Sequence, residues 1–116
     1  MYTSSVSTVA FTPACKGTPV TASTAATVAS LYEGANQLQI ANKTSAWAHV
    51  LVAETAALAA EVSLGTSDTQ NTSDYPVAPG AVVVISVDPN AEWVGVILDS
   101  APSGSAIVVC TPGQGN

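Results

Sequence analysis

The stretch Tyr75-Pro76-Val77-Ala78-Pro79-Gly80-Ala81-Val82-Val83-Val84-Ile85-Ser86-Val87-Asp88-Pro89-Asn90 decides the class of fold. Pro76, Pro79 and Gly80 turn the chain before the apolar run, and Asp88, Pro89 and Asn90 turn it afterwards. Between them, Val82, Val83, Val84, Ile85 and Val87 are β-branched. Such residues are stiff at χ1 and suit a pleated strand better than a helix. A run of this kind between turn residues reads as a strand buried on at least part of both faces. The other segments are expected to build a small β-sandwich or barrel around it.

Working outward, Glu92 to Asp99 is the next strand, with Val94, Val96 and Leu98 on one face and Trp93, Gly95 and Ile97 on the other. Ala101-Pro102-Ser103-Gly104-Ser105 is a turn. Ala106 to Thr111 is the last strand, read with Ile107 and Val109 inward and Cys110 opposite; Pro112 to Asn116 reads as a loose tail. Upstream, Gln37 to Ala41 alternates, placing Leu38 and Ile40 on a buried row. Ala46 to Ala53 has Ala46, Ala48, Val50 and Val52 on one face and Trp47, His49 and Leu51 on the other. A hairpin across Asn42–Ser45 is expected to join these two strands.

Thr18 to Ser23 reads as a short strand, with Pro19 suggesting an edge. Thr24 to Leu31 follows, and Glu33-Gly34-Ala35-Asn36 is a turn. Residues 1–12 form an extended N-terminal arm that becomes a strand near Val6 to Phe11, interrupted by Pro13 and Lys16-Gly17. Glu54 to Leu64 favours helix by propensity but alternates equally well; strand or irregular structure is the leading reading and one short helix the alternative. Gly65 to Asp74 is a polar loop. Turn signals recur every eight to twelve residues or so, which marks an all-β fold. The expectation is an antiparallel β-sandwich or jelly-roll-like barrel of about eight strands, a single domain over residues 13–116 behind the arm.

The 116 residues suffice for one domain that buries roughly 65 % of its unfolded surface. Charged residues make up 9 % of the chain, against about 25 % in an ordinary globular domain. A surface this poor in charge is compatible with a partner covering part of it. The net charge is −6, with Lys16 and Lys43 the only cations, which argues against nucleic acid and against anionic membranes. No apolar run approaches the roughly 20 residues that span a bilayer. Met1-Tyr2-Thr3-Ser4-Ser5 lacks the basic start and apolar centre of a secretion signal, so the chain is expected to be intracellular when made. Cys15 and Cys110 read as buried thiols, with a bridge between first and last strands as the alternative.

Residues for chemistry are few. His49 is the only histidine and there is no Arg. A Ser-His-Asp arrangement needs convergence in space that sequence does not supply, so His49 reads as a structural or interface residue. Glu33, Glu54, Glu61, Asp68, Asp74, Asp88, Glu92 and Asp99 read as solvated residues of turns and loops. Asp68 to Asp74 is rich in oxygen but lacks the Gly and Glu of an EF-hand loop. Asn42-Lys43-Thr44 and Asn71-Thr72-Ser73 match the glycosylation sequon by chance. No cofactor and no catalytic or metal residue is assigned. Trp47 and Trp93 each fall opposite their strand's apolar row, where packing under a loop or burial in a protein interface would use them.

The order of motifs resembles the small β-rich head-decoration (capsid cement) proteins of tailed bacteriophages. The resemblance runs from about Pro19 to Gly115. It rests on Val20-Thr21-Ala22-Ser23, on Gln39-Ile40-Ala41-Asn42-Lys43-Thr44-Ser45 leading into Ala46-Trp47-Ala48-His49-Val50, and on Tyr75-Pro76-Val77-Ala78-Pro79-Gly80. The close Val109-Cys110-Thr111-Pro112-Gly113-Gln114-Gly115 is its most distinctive part, and Thr55 to Ser73 departs from the pattern. It implies a non-enzymatic virion protein, made in the bacterial cytoplasm, that binds the major capsid protein on the outside of the head and stabilises the shell. The expected interface residues are Val6, Val9, Phe11, Trp47, His49 and Trp93, with the arm as a contact element and a dimer or trimer as the working unit. A tail or fibre module that stacks host carbohydrate on Trp47 or Trp93 is the alternative. A small hydrolase is the weakest competitor.

Overall fold

The computed structural model describes residues 12–13, 17–31, 35–62 and 75–114; Val6, Val9, Phe11, Cys15 and the loop at 65–74 lie outside them. Among the described residues there are nine strands: β1 (Thr12–Pro13), β2 (Thr18–Thr21), β3 (Thr27–Ser30), β4 (Gln37–Asn42), β5 (Ala48–Ala53), β6 (Tyr75–Val77), β7 (Val82–Ser86), β8 (Trp93–Leu98) and β9 (Ile107–Gln114). They pair antiparallel into two sheets, one ordered β1-β9-β4-β7 with β2 also on β9, the other β3-β8-β5-β6. The fold is an all-β sandwich.

The two central pairs carry the core. Leu38 and Ile40 of β4 and Val108 and Cys110 of β9 face Ala48 and Val50 of β5 and Val94, Val96 and Leu98 of β8, all essentially inaccessible to water. Burying a Val or Leu side chain contributes about 1.5–3 kcal/mol, so these alternating rows hold the sheets face to face. The rows expected in β4, β5 and β8 are the ones found.

Other expectations need correction. The Val82–Val87 run is not the centre of the fold. It forms an edge strand next to β4, with Val82 60 % exposed. Residues 82–85 are all apolar, so hydrophobicity alone could not separate a central strand from an edge. Tyr75–Val77, read as part of a turn, is a strand paired with β5. Nor do β4 and β5 form a hairpin; they belong to opposite sheets, and residues 43–47 cross the sandwich. In β9 the inward row is Val108 and Cys110, with Ile107 and Val109 half-buried on the other face. Four consecutive apolar residues carry no alternation, and register with β4 made the choice.

The presumed tail also belongs to the sheet: β9 runs on through Pro112, fully buried beside Leu38, to Gln114. Sheet pairing likewise reaches Pro13, opposite Gly113. Between β1 and β2 the outer edge of β9 is interrupted, and Pro112, with no N–H to donate, falls at that interruption. In the ambiguous 54–64 stretch, described as far as residue 62, the leading reading of strand or irregular structure gives way at Ala56–Ala59 to the alternative, one helical turn, α1. Thr55 Oγ1 caps it by accepting from the Leu58 N–H at 3.2 Å. The turn lies on β8 at Gly95, where a Cβ would sit 1.9 Å from the Ala59 carbonyl oxygen.

Two polar residues, Asn42 and Thr44, are buried among the described residues. Asn42, 1 % exposed, ends β4 where the chain leaves for the opposite sheet. Its Nδ2 donates to the carbonyls of Ala46 at 2.9 Å, Val77 at 3.0 Å and Ala78 at 3.2 Å. Its Oδ1 accepts from the Thr44 N–H at 3.0 Å and lies 2.7 Å from the Thr44 hydroxyl. Its backbone N–H donates to Ala81 and its carbonyl accepts from Gly80. Two of the chain's crossings between the sheets, 43–47 and 78–81, are therefore pinned by one amide. Asn42→Asp keeps the shape but sets a carboxylate against three carbonyls. It is expected to lower unfolding free energy by about 3 kcal/mol or more, read as a fall in the urea midpoint at constant m. Gly95→Ala is expected to dislodge α1 and cost about 1–3 kcal/mol, leaving far-ultraviolet circular dichroism strand-dominated.

Candidate functional site

Not one described strand contains Asp, Glu, Lys or Arg. The described charges, Lys43, Glu54, Glu61, Asp88, Glu92 and Asp99, are all exposed in turns or beside α1. The strands themselves are therefore neutral, and the described charge lies in the connections and beside α1.

On the β3-β8-β5-β6 sheet, residues opposite one another across the ladder share a face. His49 lies opposite Ile97 and Pro76, Leu51 opposite Gly95, and Ala53 opposite Trp93. This outward row continues to Trp47, just before β5. The structure therefore brings three expected interface residues, Trp47, His49 and Trp93, onto one face. Trp47 is 46 % exposed, while His49 and Trp93 are half-buried. The register separates the two tryptophans to opposite ends of the face, with α1 covering the middle at Gly95 and leaving Leu58 exposed. The Trp47 carbonyl accepts from the Asp99 N–H at 3.1 Å, fixing the chain at the Trp47 end.

The other sheet presents Gln37, Gln39 and Ala41 of β4, Val82, Val84 and Ser86 of β7, and Val109 and Thr111 of β9 on its outward side. This second neutral face was not singled out from sequence. Every described charged residue falls between strands, so the strand residues of this face are uncharged.

Three of the described acids lie close together, while Asp99 lies at the Trp47 end. Glu54, Glu61 and Asp88 rim a cleft of about 470 Å³ lined by Leu51, Val52 and Leu58. A neighbouring cleft of about 210 Å³ opens between the sheets at Val50, Tyr75 and Ile85. Among the described residues, no three His, Cys, Asp or Glu side chains gather in a metal-binding group. The amide of Asn42, first residue of a sequon, is buried and fully engaged, so it is no acceptor in the folded chain.

Cys110 is a free thiol in the core, and burial pushes its pKa from 9.0 up to about 12. The folded state thus holds a proton that the unfolded chain releases. This contribution to stability is complete below pH 9 and is lost as pH rises towards 12. In a Cys15→Ser variant, Cys110 is expected to resist a thiol reagent at pH 8 until denaturant unfolds the chain, with the unfolding midpoint falling between pH 9 and pH 12. Rapid labelling of the native protein would contradict its placement. No protein-family model matches the chain, and neither a curated protein nor a solved structure matches it.

Proposed function

We propose that this chain is a non-enzymatic structural protein of a tailed-bacteriophage virion, a decoration protein held on the outside of an assembled head. The observation that carries the reading is the segregation of charge: no described strand carries a formal charge, and every described acid lies in a connection or beside α1. A neutral face costs little desolvation when covered, whereas charged groups must be paired to be buried. The exposed Trp47 on such a face has the character of an interface anchor. The motif order from Pro19 to Gly115 supports the choice of a capsid as the covering surface. Binding only the assembled shell stabilises it by mass action, and many symmetry-related copies multiply a modest contact.

A second reading is favoured by the same tryptophan: an indole 46 % exposed on a neutral sheet is also a stacking platform for a sugar ring. The two readings part experimentally. For a decoration protein, the chain co-sediments with purified expanded heads and raises their melting temperature. Trp47→Ala is then expected to weaken attachment about tenfold or more while leaving the protein's own melting temperature nearly unchanged. Binding to whole bacteria or glycans without heads, lost in Trp47→Ala, would instead establish the carbohydrate reading. Failure to bind heads at any occupancy would defeat the decoration reading.

A further inference from the structure

We propose that β7 is a self-complementary docking edge through which two copies of this chain pair, antiparallel, about a two-fold axis at Val84. The proposal concerns the isolated chain and stands or falls separately from the capsid reading.

A free strand edge offers unpaired backbone groups to any other strand, and soluble proteins blunt it with proline, charge or a covering element. The other edges here are blunted. Pro13 lies in β1, Pro19 in β2 and Pro76 in β6; β3 is flanked by α1 and β2. β7 carries no proline or charge in Val-Val-Val-Ile-Ser, and among the described residues no strand or helix covers its outer edge. Its hydrogen-bond parity is set at both ends, where Ala81 accepts from the Asn42 N–H and the Val87 N–H donates to Asn36. Odd-numbered residues therefore bond to β4, and Val82, Val84 and Ser86 turn their N–H and C=O groups outward.

The strand suits a second copy of itself. Centred on Val84, an antiparallel pair sets Val84 against the partner's Val84 and Val82 against the partner's Ser86, forming up to about six main-chain hydrogen bonds. Charge leaves this edge open to such a pairing. Two chains of net charge −6 repel through their acidic ends, but β7 and the adjoining Gln37, Gln39 and Ala41 are neutral. The two Asp88 carboxylates fall at opposite ends of the pair, about 27 Å apart at about 3.4 Å per residue, beyond the screening length of about 8 Å at physiological salt.

Sedimentation equilibrium of the full chain is expected to show a dimer. Val84→Pro removes only an outward N–H, a position where an edge strand tolerates proline. It is expected to keep the fold by circular dichroism and to weaken dimerisation at least about tenfold, for the loss of two hydrogen bonds. Should that variant unfold, cysteine scanning reads the same geometry. In a Cys15→Ser background, Val84→Cys is expected to oxidise to a covalent dimer, because facing Cα atoms at about 5.5 Å match disulfide geometry. Val82→Cys is expected not to, its two copies lying about 14 Å apart. A wild-type chain that stays monomeric overturns the proposal, as does a dimer insensitive to Val84→Pro or cross-linked equally at both positions. A monomer whose attachment to heads is lost in Val84→Pro also overturns it, assigning the edge to a strand of another protein.

Discussion

The Asn42 side chain is the constraint on which the arrangement of the two sheets depends. It sits at the end of β4, in one sheet, and donates to Val77 at the end of β6, in the other. The chain passes between sheets four times at this end, and a single amide holds two of the passages, 43–47 and 78–81. A buried amide left without partners costs about 1–3 kcal/mol, and here each of its polar atoms is engaged. Thr44 completes the group: its hydroxyl lies 3.0 Å from the Ala46 carbonyl and accepts from the Ala46 N–H at 3.2 Å. Aliphatic side chains set how tightly the sheets pack but have no direction. The hydrogen bonds of Asn42 supply direction, because alternative crossings would strand it.

With the crossings held, the strands had no need of charge, and the distribution of charge follows. Inward rows are aliphatic because they form the core. Outward rows are rich in Thr, Gln, Ser, Ala and Val, residues that satisfy a pleated surface without ionising. Charge remains in the connections, where it keeps the ends solvated. A molecule built this way is readily covered on its faces and poorly covered at its ends. That asymmetry underlies both the proposed attachment to a shell and the pairing through β7.

Much of the candidate face is legible in the order of residues. Trp47, His49 and Leu51 alternate against Ala46, Ala48 and Val50, so their common outward direction follows from the pleat once a strand is granted. That Trp93 shares their face does not follow, because it depends on the pairing of Ala53 with Trp93 across β5 and β8. That β4, β7 and β9 assemble the second face likewise depends on their pairing. Val6, Val9 and Phe11 lie outside the described residues, and their part in any contact rests on the resemblance alone.

Local order along the chain thus determined the β class, the rows of β4, β5 and β8, and the turns at Pro79-Gly80 and Asp88-Asn90, because a two-residue period and turn chemistry act over a few neighbours. Which strand is central, which faces of β9 are buried, and which sheet receives β5 were decided only in three dimensions. The Val82–Val87 run is as apolar as any core strand and ended at an edge, since β4 and β9 offered alternating rows that pack from both sides. Pairing partners lie far apart in sequence, and only the closed sandwich, with Asn42 satisfied, selects among combinations that local propensity leaves equal.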